Sequence, residues 1–194
     1  MRSNQTIGER PMIKKLSLLV LAAAFSIPMA AMATQPPGFW SYPAIQGFGP
    51  VHVWPQAMLR PNKHTTYKAL FDVTKSKSMD KLNGSLDHTA RTVNAFASVG
   101  VPLKHLKFVV IIHGAATSIA LNEKAFEAKF GHPNPNLKII SALRKAGVEV
   151  LVCGNALGDL GYNPSEVNPQ VKIALSAIST LVILQDKGYA LMRM

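Results

Sequence analysis

Cysteine is nearly absent from this chain: Cys153 is the only one in 194 residues. A single thiol excludes an internal disulfide and every CxxC arrangement, so neither a disulfide scaffold nor a thiolate zinc cluster can be built within one copy. His52, His64, His88, His105, His113 and His132 show no HxxxH spacing, and a zinc site is not expected. Acidic residues are also scarce, with 10 Asp and Glu against 21 Lys and Arg and a net charge of +11. The basic residues stand singly among apolar positions, without an arginine-rich run or aromatic–basic interleaving. A nucleic-acid footprint would cluster them, so that partner is not expected; a basic solvated surface with weak attraction for anionic ligands is. The motifs GxGxxG, GxxxxGKS/T and GxSxG are missing, which leaves nucleotide-dependent chemistry and serine hydrolysis without support. No cofactor and no metal are expected.

What is there begins with an address. Lys14 and Lys15 precede an apolar stretch, Leu16 to Ile27, followed by Pro28 and the small-residue pattern Ala31-Met32-Ala33. That order is a secretory signal peptide over residues 1–33. The apolar stretch is shorter than the about 20 residues a membrane span needs, so cleavage is expected, with no stable span afterwards. The mature chain would start at Thr34 in the periplasm. Met12, just before the lysines, is an alternative start to Met1. The mature charge is 17 − 9 = +8, over one domain's length.

Residues 34–66 carry six prolines together with Phe39, Trp40, Phe48, Val51, Val53 and Trp54. The prolines forbid a regular helix or central strand, and the apolar content is too high for a solvated linker. An extended arm packed on the domain or on a neighbouring subunit is expected. From Tyr67 the pattern alternates. YKALFDV (67–73), LKFVVIIHG (106–114), VEVLVC (148–153), VKIALS (171–176) and the final YALMRM read as strands. Segments 86–99, 115–130, 137–146 (capped by Asn136) and 177–187 read as helices, with short helical turns at 155–160 and 164–167. The fold class is α/β: a mostly parallel sheet, residues 67–194, flanked by helices on both faces.

Ligands of such folds bind beyond the carboxyl ends of the strands. Asp72, Thr74 and Lys75 follow the first strand, His113 and Gly114 the second, and Cys153, Gly154 and Asn155 the third; these groups are expected to converge on one rim. A thiol before a helical turn meets the helix's positive end, and Gly154 admits close approach of another backbone or of a partner's sulfur. His113 beside it would accept a proton or pair with the thiolate. The plain alternatives are a buried cysteine acting as a small hydrophobe, a hydrogen-bonded structural histidine, and an aspartate that caps its loop.

The blocks YKALFDVT, LKFVVIIHGAAT, NPNLKIISALRKAGVEVLVCGNAL and LQDKGYALM, in that order, resemble the DsrE/DsrF-like family in its exported branch. The resemblance implies a DsrE-like three-layer α/β fold and a homo-oligomer, a trimer or hexamer. It also implies a persulfide-carrying cysteine at the end of the third strand, matched here by Cys153 alone. The expected function is sulfur handling, with a donor or acceptor protein or a small sulfur anion as partner. The alternative is a non-enzymatic oligomeric binding or scaffold protein using the same crevice.

Overall fold

The computed structural model of the chain describes residues 38–194; the expected leader and the start of the arm lie outside the described residues. Five strands form a single sheet: β1 (Tyr67–Val73), β2 (Leu106–Ile112), β3 (Glu149–Cys153), β4 (Lys172–Ala174) and β5 (Ala190–Arg193). Their order is β4-β3-β2-β1-β5 and every pairing is parallel. The helices are α1 (Gly84–Ser98), α2 (Glu123–Phe130), α3 (Leu137–Lys145), α4 (Gly154–Asp159) and α5 (Ala177–Asp186).

Alternation along the strands sorts side chains between two faces. Phe71, Val73, Phe108, Val110, Ile112, Val150 and Val152 point to one face. There they pack with Leu86, Ala90 and Val93 of α1 and Ile139, Ile140 and Leu143 of α3. Phe71 and Phe108 meet edge to face at 5.5 Å. Each fully buried side chain of this size contributes about 1.5–3 kcal/mol, so this face holds most of the stability. Leu70, Val109, Ile111 and Cys153 point the other way, beneath Ala177, Leu181 and Leu184 of α5. Strand β4 is at one edge and β5 at the other, and α5 crosses the sheet between them, touching β1, β2 and β5.

Residues 44–49 are held on α1 by the buried amide of Asn94. Asn94 Oδ1 accepts from the backbone N–H groups of Ala44 and Ile45, at 2.9 and 2.8 Å. Its Nδ2 donates to the carbonyls of Ile45, Phe48 and Gly49. Gly49 sits so close to α1 that a Cβ there would fall 2.0 Å from Arg91 N.

Two local expectations are corrected. Residues 115–130 are not one helix: a 3-10 stretch, Gly114–Ala120, ends at Leu121, and α2 starts after Asn122, whose Oδ1 caps Ala125 N at 2.9 Å. An antiparallel bridge from Leu121 to Val167 pulls the chain out of helical geometry there. Asn136 makes no side-chain cap on α3. Its Oδ1 instead accepts from Asn83 N at 2.8 Å, tying the start of α3 to the start of α1.

Candidate functional site

The carboxyl ends of β1, β2 and β3 bring part of the expected rim together. Asp72 and His113 lie on the α5 side of the sheet, and His113 Nε2 is 2.7 Å from Asp72 Oδ1. The pair is held from below by backbone bonds, His113 N to Val73 O at 3.0 Å and Met194 N to Asp72 O at 3.3 Å. Thr74 is half-buried and contributes its carbonyl, which accepts from Ala116 N and lies against Gly114. Its hydroxyl makes no hydrogen bond among the described residues.

Register pairs Ile112 with Val152, so His113 and Cys153 follow at the same level of adjacent strands and on the same face. No hydrogen bond joins them. The sulfur turns instead toward two backbone donors. Cys153 Sγ accepts from Ala156 N at 3.4 Å and from Ala177 N at 3.2 Å. It therefore serves as the N-cap of α4 and also ties down the first residue of α5. Cys153 is 6% exposed, packed with Leu70, Val109, Ile111 and Ala177. Gly154 permits a close approach, and the approaching backbone is β4 of the same chain: a Cβ at 154 would lie 2.9 Å from Ala174 O. Asn155 is exposed and makes no side-chain hydrogen bond among the described residues.

A crevice of about 310 Å³ opens beside these groups, lined by Gly114, Ala115, Ser118, Ala156, Asp159 and Leu160. Neither Cys153 nor His113 lines it. Ser118 of its wall shares a hydrogen bond that the sequence does not announce, Ser118 Oγ with Tyr162 Oη at 2.8 Å, and Lys129 Nζ lies 4.4 Å from the centre of the Tyr162 ring. At the far end of β3, burial raises the Glu149 carboxyl. Bonds from Lys172 at 3.0 Å and Arg144 at 2.8 Å outweigh this and hold it below its ordinary value. No group of three or more His, Cys, Asp or Glu among the described residues is placed to hold a metal ion. No helix among them is long and apolar enough to cross a membrane.

None of the curated proteins compared matches the chain. One solved structure, of a protein of unknown function from Methanobacterium thermoautotrophicum, is 16% identical. The match covers 66% of this chain and 99% of that one at a TM-score of 0.46. The model of the DsrE/DsrF-like family matches residues 68–194, well over half of the chain and all five strands. With the parallel five-stranded sheet and its flanking helices, that match settles the affiliation: the chain belongs to the DsrE/DsrF-like family.

Proposed function

We propose that this protein handles sulfur through Cys153, as an exported homo-oligomer. The observation that carries the reading is the convergence of two backbone N–H groups, from Ala156 and Ala177, on a sulfur at the carboxyl end of a central strand. Negative charge on sulfur, whether thiolate or the outer sulfur of a persulfide, would meet donors rather than carbonyls there. In the step we propose, the thiolate attacks a terminal sulfur of a polysulfide. A new S–S bond forms, one S–S bond of the donor breaks, and the released polysulfide is one sulfur shorter and keeps its double negative charge. The test is mass spectrometry of the intact protein after polysulfide treatment. A one-sulfur adduct on the wild type and none on Cys153→Ser is expected; equal adducts, or none on either, would overturn it.

Burial of the sulfur in one copy requires that the start of α5 lift for a donor to reach it. The same burial favours a second reading, in which Cys153 is a structural cap and the protein an oligomeric binding or scaffold module. Disulfide-exchange kinetics separate the two: reaction near the rate of a free thiol supports transfer, and reaction limited by global unfolding supports the scaffold.

Assembly is supported by the outer side of α5 and its approach. Leu175, Ile178 and Val182 are 82%, 77% and 63% exposed, an apolar strip on a helix that is apolar nearly all round, and such a helix is ordinarily covered. A second copy of the chain is the occupant we propose, and light scattering of the purified protein tests it. Export is tested by fractionation and N-terminal sequencing, with Thr34 expected first.

A further inference from the structure

We propose that a second cavity, at the carboxyl end of β1 and the start of α1, binds a small organic phosphate. The cavity measures about 510 Å³, within the range of pockets that hold small metabolites. It is lined by Lys75, Lys77, Lys81 and His88, by the hydroxyl residues Ser76, Ser78 and Ser85, and by Leu82 and Met194. No Asp or Glu lines it, and none of the three lysines is in a salt bridge among the described residues. The neighbouring acids lie outside the wall: Asp80 accepts from Ser78 Oγ and is held below its ordinary value by that bond and, more weakly, by the charge of Lys81; Asp87 accepts from Gly49 N at 2.7 Å, and Asp72 holds His113. Three lysines therefore line one hollow whose wall holds no carboxylate side chain.

The wall is anchored rather than loose. Asn83 Nδ2 donates to Lys75 O at 2.9 Å, which ties the lysine loop to the base of α1. The helix start is not itself the receptor, because Asn83 Oδ1 already takes the amides of Ser85 and Leu86. The ligand class follows from the side chains. Lysines acting as point charges, together with hydroxyl donors, fit a tetrahedral oxyanion carrying more than one charge. Leu82 and Met194 give an apolar side to a space too large for the oxyanion alone. A hollow at the amino ends of β2 and β3 offers the contrast. It holds Lys104, Lys107 and Lys145 with a carboxylate in its wall, Glu149, whose own partners are Lys172 and Arg144.

The experiment is calorimetric titration of the full chain at constant ionic strength with two probes, phenyl phosphate and inorganic phosphate. Saturable binding of phenyl phosphate, severalfold tighter than inorganic phosphate, is expected. The double variant Lys75→Gln/Lys81→Gln should weaken it at least about tenfold, Lys75→Arg/Lys81→Arg should largely keep it, and Lys104→Gln/Lys107→Gln should leave it unchanged. All are surface substitutions, and a native circular dichroism spectrum confirms each variant. Absence of saturable heat, or equal losses in the first and last variants, overturns the site; equal affinity for the two probes overturns the organic class. Phosphorus line widths of phenyl phosphate give an independent reading of the same outcomes.

Discussion

The two faces of one sheet have been put to different uses. Toward α1 and α3, Phe71, Val110, Ile112 and Val152 are fully buried in a large apolar cluster that includes both helices and Ile45 of the arm. Toward α5, a smaller cluster of Leu70, Val109, Ile111, Cys153 and Ala177 lies under one helix, and the polar pair Asp72–His113 sits at its end. Because alternate residues of the same strands serve both faces, the contrast is written into neighbouring positions of the sequence. The closed face supplies the folding free energy. The thinly covered face can then carry a thiol, an imidazole and an exposed apolar helix without threatening the fold.

The largest effect belongs to the closed face. Val110→Asp places a carboxylate in a fully buried position, at a cost of several kcal/mol unless paired. Loss of the native circular dichroism spectrum is expected, and a soluble native variant would erase the distinction between the faces. Next comes Asn94→Ala, which strips five hydrogen bonds between α1 and residues 44–49. A loss of about 2–4 kcal/mol in urea denaturation is expected, because the arm's amides and carbonyls are left without partners.

On the α5 face, Cys153→Ala removes the acceptor for two helix starts and should cost about 1–2 kcal/mol. Cys153→Ser keeps an acceptor and should cost less, so the difference between the two measures the capping role apart from any chemistry. Ile178→Asp with Val182→Asp should leave the urea midpoint of the protomer nearly unchanged while lowering the mass seen by light scattering. A large fall in stability without a fall in mass would mean that these side chains serve the protomer itself.

The smallest effect is electrostatic. Glu149 is held below its ordinary value of 4.5 by Lys172 and Arg144 against the opposing effect of burial. A carboxyl lowered in the folded state stabilises above its unfolded value and loses that contribution as the pH falls through the folded one. Since the carboxylate is partly exposed, Glu149→Gln should cost under about 1 kcal/mol at neutral pH. The gap to wild type should close below pH 4.5.

Much of this was legible in the sequence wherever a local pattern decides. Tyr67–Val73 is a strand end to end because an apolar run there stops at polar residues. The mostly parallel sheet follows from alternation with helices. The rest depends on contacts between distant segments. Ala177 N reaches Cys153 Sγ across 24 residues, so spacing around the cysteine reveals only the nearer donor. Asn136 has the composition of a cap, yet the amide of Asn83 takes its oxygen. Lys75, Lys77 and Lys81 read as scattered solvated charges, and only the tertiary structure shows that they line one cavity with the start of α1.

The crossing of α5 over the sheet has a kinetic side. Strand β1 is central only because β5 lies beside it, pairing Ala69 with Ala190, and that contact spans most of the domain. Loop closure of this length is slow. During refolding β1 would present a bare, apolar edge for as long as β5 is unpaired, an invitation to strand-to-strand association between copies. Refolding yield should therefore fall steeply with protein concentration, and holdase chaperones should find their target at that edge.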